Sequence, residues 1–215
     1  VDYFDPQGVT PALRAELGIG ATDIVFGSHG RVLRRKGYVE FLHAAKQTSA
    51  LLAETGEHAR FVVVGDTPAD VAIDHVEECR KLARDLGIAD VVHFMGFRSD
   101  PRALVAGFDV AVVPSVYSDP LPRAVIESMA LGKPVIAFDV GGVAEMIVPG
   151  STGCLVDGHP PDPARLAAAM VAYARDPSRR EREGRAARAH VVEAFAGPAH
   201  GRAVYAEMAR AAGKA

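Results

Sequence analysis

The sequence predicts an α/β protein with a doubly wound, Rossmann-like fold, in which helices cover both faces of a six-stranded parallel sheet. Short β-branched runs alternate along the chain with longer segments whose apolar residues recur at helical spacing. Several of the short runs are apolar throughout, which is typical of strands buried on both faces. The 215 residues, 49% of them apolar and 24% charged, are enough to form a core of this kind.

Strands and helices are predicted from the period of the apolar residues. The strands are residues 23–28, 61–65, 91–95, 110–114, 134–138 and 153–156. The intervening helices are residues 38–54, 69–86, 101–106 and 122–131. From residue 163 the chain is rich in Ala and Arg, and we expect two or three extra C-terminal helices, broken near Asp176-Pro177 and Gly197-Pro198.

The composition excludes several classes of function. A formal net charge of −3 gives no reason to expect nucleic acid or an anionic membrane as the partner. Cys79 and Cys154 lie far apart, so we expect neither a disulfide framework nor a metal knuckle, and we expect a reducing, cytoplasmic location. No apolar run approaches the roughly 18 residues that span a bilayer, and no signal peptide is visible. The chain begins with Val1 and not Met, which indicates a piece of a longer protein.

Ligands of an open α/β sheet bind beyond the carboxyl ends of its strands, so the loops there matter most. The loop after the first strand, residues 27–37, combines glycines with Arg31, Arg34, Arg35 and Lys36 and leads into a helix. This combination suits a phosphate or diphosphate, although a basic surface loop is an equal alternative. It contains neither a dinucleotide fingerprint nor a P-loop.

The histidines show no metal-ligand spacing, and we assign no metal to any of them. His29 lies in the basic loop, where we expect a solvated side chain, with contact to a phosphate as the alternative. His93 lies in an apolar run, where we expect a core or strand-end residue.

Two carboxylates, Asp119 and Glu127, flank the turn that leads into the predicted helix 122–131. Such acids can accept hydrogen bonds from the vicinal hydroxyls of a ribose or a hexose. Arg123, in the first turn, opposes the helix dipole unless an anion lies nearby. The alternative is that Asp119 is an ordinary turn residue and Glu127 a solvated one.

A third candidate segment, residues 140–145, follows the fifth strand and contains Gly141-Gly142. Paired glycines let the backbone approach a ligand, or they make a tight turn into a helix.

Together these segments resemble the C-terminal, donor-binding domain of the retaining GT-B glycosyltransferases of family 4. The likeness covers nearly the whole chain and keeps the order of the motifs. The residues that carry it are Gly30-Arg31 with Lys36-Gly37, FVVVGD (61–66), VHFMGF (92–97), residues 109–114, and residues 119–157 with ESMALGKPVIA (127–137) and Gly141-Gly142.

The resemblance implies roles for the two acids and the basic loop. Two acids separated by seven residues mark the family's site, and Asp119 and Glu127 have that spacing. Glu127 would hold the ribose of the nucleotide, and Asp119 would face the hydroxyls of the donor sugar. Arg31 and Lys36, beside Gly30, would grip the diphosphate and stabilise it as it leaves.

The resemblance also implies where the rest of the donor lies. The loop Gly96–Ser99, with Phe97 and Arg98, would meet the base, and Leu121, Pro122 and Arg123 would border the sugar and phosphates. The chain departs from the family in having Asp119 for Glu and Leu121-Pro122 for Phe-Gly. Pro122 has no N–H, so a backbone contact is lost there.

The implied activity is transfer of a sugar from a UDP or GDP sugar to an acceptor, with retention, no cofactor and no metal. Residues 1–20 would be an interdomain linker, 21–195 the donor domain, and 196–215 a helix that packs toward an N-terminal acceptor-binding domain. That domain is absent from the chain, so we expect the chain to transfer sugar poorly alone, and any peripheral membrane association to depend on that domain. The alternatives are a non-catalytic nucleotide-sugar sensor and another GT-B enzyme such as an epimerase or a phosphorylase.

Overall fold

The computed structural model describes residues 1–197, 201, 208 and 210. The helix predicted around residues 203–211 and the break at Pro198 therefore lie outside the described residues, apart from single positions.

The fold is built on one six-stranded sheet in which every paired strand is parallel, as predicted. The spatial order is β3-β2-β1-β4-β5-β6, so the chain reverses its direction of growth between β1 and β4. In doubly wound folds this switch point is where ligands bind. The strands are β1 (Ile24–His29), β2 (Ala59–Val64), β3 (Val92–Phe94), β4 (Val110–Val113), β5 (Val135–Asp139) and β6 (Gly153–Asp157).

Helices cover both faces of the sheet, which confirms the doubly wound architecture. The helices are α1 (Leu13–Leu17), α2 (Tyr38–Ala53), α3 (His75–Asp85), α4 (Arg102–Val105), α5 (Arg123–Ala130), α6 (Pro163–Ala174) and α7 (Pro177–Phe195). Buried residues of α2, α3 and α6 form one core with one face of the strands, and those of α1, α4, α5 and α7 form a second core on the other face. Among the described residues, no helix combines the length and the apolar character that crossing a bilayer requires.

The start of one predicted helix was wrong. The helix predicted from residue 69 begins at His75, because the Asp74 side chain accepts hydrogen bonds from the N–H groups of Val76 and Glu77 and caps the helix there. The lead-in also contains a short helix that was not predicted, α1, whose Leu13 is fully buried in the second core. A helix of five residues leaves little periodicity in the sequence, and its tertiary contacts select it.

Candidate functional site

A cleft of about 650 Å³ lies at the carboxyl ends of β1, β2 and β4, at the switch point of the sheet. Its walls come from the part of the basic loop that follows β1 (residues 30–37), from the β4–α5 loop (residues 114–122) and from the first two turns of α5. Every predicted site residue except Gly96 lines this cleft: Gly30, Arg31, Lys36, Phe97, Arg98, Asp119, Leu121, Pro122, Arg123 and Glu127.

Glu127 is joined to His29 across the floor of the cleft. His29 is the last residue of β1, its side chain is only 4% exposed, and its Nε2 lies 2.9 Å from Oε2 of Glu127. The expectation that His29 is a solvated loop residue was therefore wrong. The strand continues one residue beyond the predicted end, because His29 remains in register with Val64 of β2.

The pKa of Glu127 is lower than that of an ordinary glutamate. Burial alone would raise the pKa of this carboxyl, but the hydrogen bond and charge of His29, together with the charge of Arg123, outweigh burial and lower it. Glu127 is thus an ionised carboxylate at neutral pH, and the Nε2–H group of His29 donates to it.

Lys36 and Asp119 form an ion pair on the opposite side of the cleft. Nζ of Lys36 lies 2.7 Å from Oδ2 of Asp119, and the N–H of Leu121 donates to Oδ1 at 3.2 Å. The hydrogen bond from Lys36 is the largest cause of the lowered pKa of Asp119. Both carboxylate oxygens already have a donor, so the predicted contact of Asp119 with a sugar would share these oxygens.

The Asp119–Lys36 pair predicts a specific pH dependence of stability. Because the pKa of Asp119 lies below its ordinary value of 3.8, the pair should contribute about 0.5–1 kcal/mol above about pH 5 and lose it below about pH 4. Urea unfolding of the wild type and Asp119→Asn should differ by that amount at pH 7, and the difference should shrink as the pH falls below about 4. A difference that stays constant from pH 7 to pH 3 would contradict the ion pair.

Two cations of the cleft form no ion pair with a carboxylate of residues 1–197, although the charge of Arg123 acts on Glu127 from a longer distance. Arg31 and Arg123 are both exposed and line the cleft. Within residues 1–197, no Asp or Glu is within ion-pair distance of either guanidinium. Lys36 is paired with Asp119, and Asp66 adds a further carboxylate to the lining, so Arg31 and Arg123 are the cations of this group that are available to an anion.

Glycines hold the loops of the cleft in place. At Gly37 (φ 74°) a Cβ would lie 1.7 Å from the carbonyl oxygen of Pro114, and at Gly65 (φ 145°) it would lie 1.9 Å from that of Gly30. Hydrogen bonds accompany these approaches, from the Val116 N–H to the Arg35 carbonyl and from the Gly30 N–H to the Val64 carbonyl. Backbone contacts between loops therefore fix the walls of the cleft.

The Gly141-Gly142 pair begins a short 3-10 helix, Gly141–Glu145, and approaches the protein's own backbone. The N–H of Gly142 donates to the carbonyl of Asp119 at 2.9 Å, and a Cβ at Gly142 would lie 2.0 Å from the carbonyl oxygen of Pro120. The anticipated turn into a helix is observed, whereas the close approach is to the protein's own backbone, and an approach to a ligand stays a prediction. The partner of the approach is the β4–α5 loop.

The predicted base-binding loop is open on one side of the cleft. Phe97 is 72% exposed, and Arg98 forms an ion pair with Glu16 at 2.7 Å. Gly96 does not line the cleft; it adopts φ 66°, and its carbonyl accepts a hydrogen bond from the N–H of Gly65. Its place in the site is to support the loop that carries Phe97.

Sequence reasoning missed Tyr3 and Phe4, which also line the cleft. The guanidinium of Arg102 lies 3.8 Å from the centre of the Tyr3 ring and donates to the Tyr3 carbonyl, which fixes this segment beside the cleft. The only signal in the sequence is an aromatic pair in an otherwise polar lead-in.

The start of α5 differs slightly from the prediction. Pro122 is the residue before the helix and is buried, while Leu121 is exposed at the rim. No group of three or more His, Cys, Asp or Glu residues that could hold a metal ion occurs in the described part of the chain.

Comparison with known proteins identifies the family. The family model described as "Glycosyl transferases group 1" matches residues 9–190. The chain belongs to this family. The predicted resemblance is therefore confirmed at the level of the family.

Curated relatives in the family are about a third identical to the chain. A D-inositol 3-phosphate glycosyltransferase of Kribbella flavida is 34% identical over 88% of this chain and 44% of that protein. One of Streptomyces scabiei is 36% identical over 88% of this chain and 42% of that protein. The chain thus spans less than half the length of these relatives.

Solved structures of glycosyltransferases share the fold. The Anabaena protein HepE, solved in complex with UDP and glucose and with UDP-glucose, has a TM-score of 0.79 and 26% identity over 92% of this chain and 51% of that chain. A sucrose-phosphate synthase of Thermosynechococcus elongatus has a TM-score of 0.78 and 28% identity over 96% of this chain and 51% of that chain. The predicted GT-B type of fold is confirmed.

Proposed function

We propose that this chain binds a nucleotide-diphosphate sugar and forms the donor-binding half of a retaining glycosyltransferase. The observation that carries the proposal is the arrangement of charges in one cleft, where the unpaired Arg31 and Arg123 lie with Lys36 beside the carboxylates Asp119 and Glu127. Cations suit a diphosphate, and carboxylates suit the hydroxyls of ribose and sugar. The complexes of HepE with UDP and UDP-glucose support UDP as the first nucleotide to test.

In the proposed reaction the bond between the anomeric carbon and the diphosphate oxygen breaks, and its electron pair leaves with the diphosphate. Arg31 and Lys36 stabilise the negative charge that develops there, in the way that preorganised cations lower a barrier. An acceptor hydroxyl then attacks the oxocarbenium-like carbon from the face that the diphosphate leaves, which retains the configuration, and the hydroxyl proton passes to the departing diphosphate oxygen. These cations take the place of a metal ion, so the proposed activity needs none.

The proposal assigns acceptor binding to a second domain outside this chain. It includes the expectation that the chain binds donor but transfers sugar poorly without that domain. The anomeric proton signal of a product formed with that domain present should match the donor's configuration; an inverted product would overturn the retaining mechanism.

Calorimetric titration with UDP, GDP, ADP and their sugar conjugates, with and without magnesium, tests donor binding. We expect one nucleotide diphosphate to bind without magnesium, and Arg31→Ala and Glu127→Ala each to weaken it by about 1.5–3 kcal/mol, or about 10- to 150-fold. Arg84→Ala is the matched control, since Arg84 lies on α3 and pairs at the surface with Glu77.

Three outcomes of the titration contradict parts of the proposal. Binding by the folded wild type to none of the nucleotides would overturn donor binding by this chain. If Arg84→Ala weakened nucleotide binding as much as Arg31→Ala, the effect would come from overall charge and not from a specific site. A strict requirement for magnesium would overturn the metal-free mechanism.

A further inference from the structure

We propose that His29 is a positioning residue that fixes the carboxylate of Glu127 for recognition of the ribose hydroxyls. The inference rests on the proposed function and adds a residue to it, since His29 lies outside the acids and cations considered above. It concerns the nucleotide half of the donor and makes no claim about the sugar.

The geometry of the pair supports a fixed carboxylate. Nε2 of His29 lies 2.9 Å from Oε2 of Glu127, and the imidazole is held at the end of β1 with its side chain 4% exposed. The Phe108 ring lies beside it, with the two ring centres 6.5 Å apart. A donor on a central strand of the sheet cannot follow a moving carboxylate, so the hydrogen bond restricts the rotation of the Glu127 side chain.

The remaining oxygen of Glu127 is the one available for a ligand. Oε1 accepts no hydrogen bond from the part of the chain that the structure describes, whereas Oε2 is occupied by His29. The Glu127 side chain is 23% exposed and lines the cleft. One oxygen is therefore anchored to the sheet, and the other is left to accept from a hydroxyl group.

The contact that its side chain makes distinguishes His29 from the other polar residue of β1. Of the polar side chains in β1, Ser28 interacts with Tyr38 behind the loop, and His29 alone reaches α5, 98 residues further along the chain. A histidine that only filled space would need no carboxylate, and an ionised carboxylate on a side chain only 23% exposed is costly without a donor. The contact is explained if the position of the Glu127 carboxylate matters.

The test compares UDP with 2′,3′-dideoxy-UDP, which lacks both ribose hydroxyls. His29→Phe keeps a ring of similar size. We expect it to lower the affinity for UDP about 10- to 100-fold and to change the affinity for dideoxy-UDP by no more than about twofold. His29→Gln retains an N–H donor and should restore part of the UDP affinity. In the Glu127→Ala background, His29→Phe should have no further effect on UDP, because the two residues act as one unit.

His93→Phe is the matched control. His93 lies in β3, the edge strand that β2 separates from β1, is half-buried, and is not among the residues that line the cleft. Its substitution should change the affinity for neither nucleotide. Thermal unfolding of each variant checks that it is folded. The imidazole nitrogen signals of His29 in the wild type provide a readout without substitution, since they should shift with UDP and not with dideoxy-UDP.

The outcomes separate this inference from the proposed function. If His29→Phe lowered the affinities for UDP and dideoxy-UDP equally, the role of His29 would be merely structural, and the inference alone would be overturned. Unchanged UDP affinity in both His29 variants would also overturn it. Imidazole signals that respond equally to both nucleotides would overturn it as well. A wild type that binds no nucleotide, or a Glu127→Ala variant that binds UDP as tightly as the wild type, would overturn the proposed function and the inference with it.

Discussion

Gly37→Ala should lower the free energy of unfolding by about 3–5 kcal/mol. Gly37 has φ 74°, a left-handed conformation that costs a residue with a side chain about 1–2 kcal/mol. In addition, the new Cβ would lie 1.7 Å from the carbonyl oxygen of Pro114, so the backbone at the start of α2 and the end of β4 would have to separate. Urea unfolding of the two proteins measures the difference.

Gly56→Ala is a matched control for this substitution. Gly56 also has φ 74°, but no atom lies within 4 Å of the position that a Cβ would occupy. Gly56→Ala should lower the free energy of unfolding only by the cost of the left-handed backbone conformation, about 1–2 kcal/mol. Equal costs at the two glycines would mean that the contact with Pro114 does not hold the cleft together.

Lys36→Met should lower the affinity for the nucleotide diphosphate about a hundredfold or more, which corresponds to about 3 kcal/mol of binding free energy. The substitution keeps the aliphatic stem and removes the cation that the proposed function assigns to the diphosphate. It also leaves Asp119 without its partner, so a carboxylate that was neutralised at 2.7 Å would repel the incoming diphosphate. Calorimetric titration at fixed ionic strength measures the effect.

The double variant Lys36→Met/Asp119→Asn distinguishes these two causes. Removing the unpaired carboxylate should recover part of the lost affinity, and no recovery would mean that Asp119 does not face the ligand. Arg34→Met is the control, because Arg34 belongs to the same short turn, Arg34–Lys36, but does not line the cleft. We expect it to weaken binding less than about threefold, through long-range charge alone.

The sheet could be predicted from the sequence because buried parallel strands carry an unusually local signal. Val110–Val113, for example, is a short apolar run that is buried at every position. Such a run is typical of a parallel strand that is covered on both faces. The start of α3 was harder to predict, since a helical pattern extends into residues 69–74 and only the cap at Asp74 ends it. A helix cap depends on a single polar side chain, and the spacing of the apolar residues does not indicate which side chain that is.

The residues of the cleft could be nominated from the sequence, but their pairing could not. Lys36 and Asp119 were expected to share a ligand, and the fold brings them into contact with each other across 83 residues of chain. His29 gave no sign of its role, because its partner Glu127 lies on another element and no local pattern links the two. Gly141-Gly142 did give a correct signal of close approach, although a glycine pair does not identify what approaches it.

The contacts of Gly37, Gly141 and Gly142 also constrain how this lineage can evolve. The β4–α5 loop is held at its start by Gly37 against Pro114 and near its middle by Gly141 and Gly142 against Asp119 and Pro120. An insertion or deletion between these points would break backbone contacts that no side chain can replace. Descendants that come to use a different donor should therefore keep the length of the loop and differ in the side chains that it presents to the cleft.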